Sequence, residues 1–530
     1  MATLGEHIIK CLEAYGIDTV FGIPGVHTVE LYRGLAGSKI RHVTPRHEQG
    51  AGFMADGYYR ATGRVAAAFV ITGPGVTNIL TPMAQAYADS IPMLVISSVN
   101  RTAALGMGGD LHEIRNQSLI AAQAAAFSHT ITDPDQIGPV LARAFAVFHG
   151  ARPRPVHVEV PLDLFSVEVG EPKIPEPRPV LRPTALESEI QKAAAQLASA
   201  ERPVIIAGGG AADAPDLRAV AKAIDAPVIL TTNARGVLPP DDPLLIPVSP
   251  SLETIRSFVA EADVVLAIGT EIGRTDYDMY DRAPFGVPGT LIRVDVDVEA
   301  LDHGTRGEVG IVSDAAAFCK VLVAHLGQNV DEPVGGAQRA GAARDRATKE
   351  IGEKYRQVVG FLDTIRDTLP EAPIVCDSTQ AAYAGNLYYA APTPRKWFNA
   401  STGYGALGYG LPAAIGAARG LNAPVVCICG DGGLQFSLAE LGCAVEEKLP
   451  LILLVWNNQG YGEIKDYMIS KQIAPVGVDL HTPDFVAIGK AYGAVSIALE
   501  NLGSLPSLLR DAASRQGPTL IEIDEALVLS

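Results

Sequence analysis

Apolar residues recur at two spacings along this chain. Leu4, Ile8 and Leu12 repeat every four residues, as on one face of a helix. Val20-Phe21 then runs into Gly22-Ile23-Pro24-Gly25, which predicts a strand ending in a turn. Residues 48–59 predict a helix. Residues 65–71 form a nearly continuous apolar run, the mark of a strand covered on both faces, and Gly73-Pro74-Gly75 stops it. A helical pattern follows, then strands at 93–97 and 156–160. This alternation predicts a doubly wound α/β domain over residues 1–170.

Residues 171–183 read EPKIPEPRPVLRP. Alternating prolines stiffen such a segment and keep it out of a sheet interior, so 171–185 reads as a linker. A central α/β domain is expected at 186–340. It has a helix at 187–200, strands at 204–206, 264–268 and 291–296, and Gly208-Gly209-Gly210 after the first of these. Residues 328–345 are polar and rich in Gly and Ala, which reads as a second boundary. A third domain over 350–530 carries strands at 374–376, 425–429 and 452–456. The fold class is therefore α/β: three open α/β domains with mainly parallel sheets. The 530 residues agree, because a single core rarely grows past ~250–300 residues.

Composition narrows the partners. Hydrophobic residues make up 48% and charged residues 19%, which excludes a disordered chain. A formal charge of −17 disfavours nucleic acid and anionic membrane surfaces. The six cysteines are scattered, so buried free thiols are expected. Cys427 and Cys429 share a strand face, but no second cysteine pair accompanies them as a zinc site requires. The start of the chain is an amphipathic helix pattern rather than a basic region and apolar run. No stretch of about 18 uninterrupted apolar residues occurs, so a soluble, cytoplasmic protein is expected.

The strongest chemical signal lies in the last domain. Gly430-Asp431-Gly432-Gly433 follows one apolar run, and Asn457-Asn458-Gln459-Gly460 follows another. Loops at the C-terminal ends of strands are where open α/β sheets bind ligands. Mg2+ takes oxygen ligands and usually keeps phosphate oxygens among them. Asp431 offers a carboxylate, Asn458 an amide oxygen and Gly460 a backbone carbonyl. The glycines, Gly432 and Gly433 among them, leave backbone N–H groups open to phosphate oxygens. Read alone, the two loops are equally ordinary strand-end turns.

Together, the two motifs resemble the cofactor-binding motif of thiamine-diphosphate (ThDP) enzymes, which runs from Gly-Asp-Gly to Asn-Asn. The whole chain resembles the pyruvate oxidase, acetolactate synthase and decarboxylase group of that superfamily. The resemblance implies ThDP and Mg2+ as cofactors, with Asp431, Asn458 and Gly460 as metal ligands. It also implies that Glu48, in Arg46-His47-Glu48-Gln49-Gly50, hydrogen-bonds N1′ of the aminopyrimidine and promotes its imino tautomer. Gly73-Pro74-Gly75-Val76-Thr77-Asn78 is similar to the family's turn after a central strand, with Asn78 tying the loop. Ser401 to Gly410 is similar to the segment that carries the wedge beneath the cofactor. Leu407 would be that wedge, with a plain core position as the rival reading. Gln380, Gly405, Tyr461 and Gly462 complete the implied cofactor contacts. In the family the cofactor bridges two subunits, so a homodimer is the implied minimum and a homotetramer the fuller form.

The resemblance fixes the cofactor more tightly than the substrate. Val26 stands where pyruvate decarboxylases carry an aspartate, and Leu111-His112 replaces the Phe-Gln pair of acetolactate synthases. Val26, His27, Asp110, Leu111 and Glu113 are the implied substrate contacts. His112 and Glu463 are candidates for catalytic proton transfer, although a lone histidine is as readily a loop residue. Glu271 replaces an arginine of the flavin-binding stretch in acetolactate synthases, which argues against FAD. Glu463, Asp466, Asp110 and Glu113 would repel a second carboxylate and suit a cationic tail. IPGVHTVELYRGL, TPRHEQGAGFMADGYYRATG, AYADSIPMLVISSVNR and GTEIGRTDYD look most like the 2-ketoarginine decarboxylases. The implied reaction is non-oxidative decarboxylation of a 2-oxo acid with a basic side chain, through a C2 carbanion and enamine to an aldehyde and CO2. The alternative is carboligation of two pyruvates, a transferase reaction. A non-catalytic relative would be marked by loss of Glu48 or Asp431, and both are present.

Overall fold

The computed structural model describes residues 2–170, 176–280, 282–327 and 334–530. Residues 171–175 of the Pro-rich linker and 328–333 of the second expected boundary lie outside the described residues. The described strands form three six-stranded sheets in which every pairing is parallel. The first holds β1 (Thr19–Gly22), β2 (Arg41–Val43), β3 (Ala67–Val70), β4 (Leu94–Val99), β5 (Phe127–Thr130) and β6 (Val156–Pro161). The second holds β7 (Val204–Ala207), β8 (Val228–Leu230), β9 (Leu245–Ile246), β10 (Val264–Ile268), β11 (Thr290–Asp295) and β12 (Val309–Val312). The third holds β13 (Ile374–Cys376), β14 (Trp397–Asn399), β15 (Val425–Gly430), β16 (Leu451–Asn457), β17 (Val495–Ala498) and β18 (Thr519–Asp524). Strands such as β7 and β10 read as unbroken apolar runs because helices cover both faces of the sheet.

The first and third sheets share one topology. Their orders are β2-β1-β3-β4-β6-β5 and β14-β13-β15-β16-β18-β17. The central sheet is ordered β12-β11-β10-β7-β8-β9. In the outer sheets the order reverses between the first and third strands, so the loops after those strands diverge and leave a crevice. That places residues 22–27 and the Gly73 turn at one crevice, and residues 377–380 and the Gly430–Gly433 turn at the other.

One hydrophobic core spans both outer domains. Its centre is the crossing of helices Glu48–Thr62 and Gly410–Leu421, which touch backbone to backbone. A Cβ on Gly57 would lie 2.0 Å from the Ala413 carbonyl oxygen, and one on Gly416 would lie 1.9 Å from that of Met54. The central domain is tied to the first by Arg152, whose guanidinium meets Asp295 at 2.7 Å and Asp297 at 2.9 Å and also pairs with Glu271.

One stretch departs from its expected reading. Gly336–Glu350 is a helix, not a boundary loop. Ala340, Ala343 and Ala347 form its buried stripe, and Arg339 donates to the Pro203 carbonyl at 3.0 Å. Small side chains let the helix lie close to the central domain, and composition alone cannot separate such a stripe from a linker. All six cysteines are buried free thiols, with Cys427 and Cys429 Sγ atoms 3.5 Å apart. No helix among the described residues is long and apolar enough to cross a membrane.

Candidate active site

In the C-terminal domain, β15 ends at Gly430 and Asp431 opens the next short helix. The Asp431 side chain is buried. Thr482 Oγ1 donates to its Oδ2 at 3.2 Å, whereas its Oδ1 is buried with no partner. Burial pushes its pKa up, opposed by Thr482 and by the backbone N–H groups of Gly432, Asn458 and Gly460. A buried carboxylate oxygen with no donor is costly unless a cation meets it. Beside it, β16 leads into Asn458 and Gly460. Gly460 has φ +144°, and a Cβ there would lie 2.3 Å from the Val478 carbonyl oxygen. A Cβ on Gly462 would lie 2.6 Å from Asn458 Nδ2, and one on Gly432 would lie 2.7 Å from the Tyr461 ring. Among the described residues no group of three acidic, His or Cys side chains is placed to hold a metal ion by itself. The site therefore presents one carboxylate, one amide and backbone groups, a donor set that fits a divalent cation carrying its own diphosphate.

Leu407 is half-buried and packs over the same turn. A Cβ on Gly433 would lie 3.6 Å from Leu407 Cδ2. Asp377 holds that segment: fully buried, it accepts N–H bonds from Gly408 at 3.2 Å and Gly410 at 2.9 Å. Sequence reasoning missed Asp377, because its partners lie some thirty residues away and no motif marks it. Gly405 has φ +76° and open space around it. Gln380 Oε1 accepts from Trp456 Nε1 at 3.3 Å. Burial raises the Glu463 pKa, and one of its oxygens, Oε1, is buried without a partner.

In the N-terminal domain, Glu48 is the first residue of its helix, and Asn78 Nδ2 donates to Glu48 Oε2 at 3.0 Å. The expected loop tie, Asn78, thus holds the glutamate itself. Gly73 has φ +68°, and a Cβ there would lie 2.1 Å from the His112 carbonyl oxygen, so only glycine lets the two loops meet. Its N–H donates to Gln117 Oε1 at 2.8 Å. His27 and His112, from loops after different strands, stand edge to face with ring centroids 5.3 Å apart. His27 Nδ1 is buried without a partner, and burial together with His112 lowers the His27 pKa. Val26 is 74% exposed and Leu111 64%. Glu113 spends its carboxylate on the N–H groups of Gly108 at 3.1 Å and Asp110 at 3.2 Å, and Asp466 pairs with Lys354 at 3.3 Å. Asp110 is exposed.

A cavity of about 370 Å³ lies where all three domains meet, lined by Asp89, Gly208–Gly210, Glu271, Asp276 and Thr402 among others. Glu271 pairs there with Arg152 and lies 3.7 Å from Arg154. Its charge is compensated, so the electrostatic argument against a flavin diphosphate loses its force.

Three domain families described for thiamine pyrophosphate enzymes match: the N-terminal TPP binding domain at residues 2–120, the central domain at 190–322 and the C-terminal TPP binding domain at 377–523. The chain belongs to the thiamine pyrophosphate enzyme family. A probable 2-ketoarginine decarboxylase of Pseudomonas aeruginosa is 44% identical over 99% of this chain and 94% of its own length. The large subunit of acetolactate synthase isozyme 3 from Escherichia coli is 30% identical, over 97% of this chain and 92% of its own. A probable acetolactate synthase large subunit of Methanocaldococcus jannaschii is 29% identical over 98% and 91%. The cofactors of this thiamine pyrophosphate enzyme are ThDP and Mg2+. Its two outer domains are the family's TPP binding domains, and both crevices lie in them.

Proposed function

We propose that this thiamine pyrophosphate enzyme decarboxylates a 2-oxo acid with a basic side chain, such as 5-guanidino-2-oxopentanoate. The observation that carries the reading is the full-length match at 44% identity to a probable 2-ketoarginine decarboxylase, against 30% for an acetolactate synthase large subunit. Asp431, Asn458 and the Gly460 carbonyl hold Mg2+, and the Gly432–Gly433 turn with Gln380, Tyr461 and Gly462 holds the diphosphate. Support comes from the partnerless Asp431 Oδ1 and from the glycines whose side chains would close the turn. Bound ThDP supplies the nucleophilic carbon and the electron sink for loss of CO2. Glu48, steadied by Asn78, holds a proton at the pyrimidine N1′. Leu407, beside the Gly433 turn, would pack against the cofactor. His27 and His112 are the proton donors nearest each other at the crevice, and Glu463, with an oxygen free of partners, is the acidic group best suited to the cationic tail.

The active form is a homodimer or a dimer of dimers with the cofactor between subunits. Exposed apolar residues flank both crevices: Val26, Met107 and Leu111 on one side, and Ile464, Ile473 and Val476 on the other. Such patches are covered by a symmetric self-contact. A panel of 2-oxo acids assayed with ThDP and Mg2+, with products identified, tests the reaction. Release of 4-guanidinobutanal and CO2 is expected. The relatives at 29–30% favour carboligation as the second reading, and acetolactate from pyruvate without aldehyde release would establish it instead.

A further inference from the structure

The Glu48–Thr62 helix starts in an unusual way. His47 is its N-cap, and His47 Nδ1 accepts from Gln49 N–H at 3.1 Å. In a capping box, the residue three positions on supplies a carboxylate that returns to the cap's backbone N–H. Here that position is Gly50, which has none. The carboxylate comes instead from Glu440, in the C-terminal domain of the same chain. Its Oε1 accepts the His47 N–H at 3.0 Å, and its two oxygens each accept the Arg46 N–H at 3.0 Å. A Cβ on Gly50 would lie 2.2 Å from Glu440 Oε1, so the glycine leaves the room that Glu440 fills. Glu440 is 1% exposed, and burial raises its pKa to about 7 against the opposing Arg46 and His47 amides. Arg46 itself is anchored to Glu446. A buried carboxylate kept at that desolvation cost, and directed only at the backbone that leads into Glu48, is built to hold that backbone.

We infer that Glu440 is a positioning residue that caps the Glu48 helix from the C-terminal domain and thereby aims the Glu48 carboxylate. The inference rests on the assignment of Glu48 as the residue acting on the cofactor. Glu440→Gln keeps the shape but leaves an amide NH2 facing the Arg46 N–H. Gly50→Ala leaves Glu440 intact and displaces its carboxylate. Both variants are expected to lower kcat about 10- to 100-fold, with KM and ThDP affinity within about threefold, because only orientation is lost. Amide hydrogen exchange at residues 46–48 of the cofactor-free protein should accelerate in both. In a Glu48→Gln background, Glu440→Gln should cost less than about threefold more, since its effect passes through Glu48. Wild-type kcat in both single variants, or the same fold loss with and without Glu48, overturns the inference. Wild-type activity in Glu48→Gln alone overturns the assignment of Glu48 instead.

Discussion

Gly57 tests whether the helix crossing sets the geometry of the N-terminal half-site. In Gly57→Ala the new Cβ would lie 2.0 Å from the Ala413 carbonyl oxygen, 2.5 Å from its carbonyl carbon and 2.6 Å from its Cα. Contacts below 3.0 Å are not tolerated, and the obstacle is backbone, so the helices must part by about 1 Å or more. Overpacking of this kind costs ~1–3 kcal/mol, offset by up to ~1 kcal/mol from replacing a helical glycine. Glu48 begins the same helix, roughly 13 Å away along its axis. A misplacement near 1 Å costs up to about 100-fold in turnover. Gly57→Ala should therefore lose ~1–2 kcal/mol in urea unfolding and about 10- to 100-fold in kcat, with far-UV CD preserved. Gly360→Ala is the matched control. It lies in helix Gly352–Thr368 with nothing within 4 Å of its Cβ, and it should be neutral or slightly stabilising. A Gly57→Ala protein that unfolds and turns over like Gly360→Ala would refute the argument.

Three further substitutions probe other parts of the structure. Asp431→Asn should leave the cofactor-free melt unchanged or raised. It should also abolish the stabilisation by ThDP and Mg2+, worth ~2.7 kcal/mol at 100-fold excess over Kd. An undiminished ligand shift would remove Asp431 from the metal site. His157 is fully buried between Ser97 Oγ at 2.8 Å and Ser128 Oγ at 2.7 Å, and burial lowers its pKa to about 3. Its folded pKa lies below the unfolded value of about 6.5, so its contribution is complete above that pH and declines below it. The stability gap between wild type and His157→Asn should shrink by about 2 kcal/mol between pH 7 and pH 5, and a constant gap in urea titrations would contradict this. Arg152→Met leaves the Asp295 side chain, 5% exposed, without its ion-pair partner. It should cost ~3–5 kcal/mol in unfolding, and a loss under about 1 kcal/mol would show that the inter-domain ion cluster carries no net stability.

The readable parts of this chain are those whose physics is local. Residues 264–268 and 374–376 are strands at their expected bounds, because an apolar run of that length between turn residues has few other uses. Gly430-Asp431-Gly432-Gly433 was legible for a similar reason: glycines beside a carboxylate at a strand end leave open backbone and unpaired oxygen together. The helix Gly336–Glu350 was not, since its alanine stripe differs from a linker only through the surface it meets.

The amino-acid order by itself determined three α/β domains with parallel sheets, and the family resemblance added a candidate cofactor loop and Glu48. It could not reveal that the outer domains repeat one strand order, because residues unlike each other satisfy the same buried-strand requirement. Nor could it give Asp377 and Glu440 their work. Each is an ordinary acid until folding brings it N–H groups from residues 31 and 394 positions away, and a buried carboxylate takes its role from the donors that surround it.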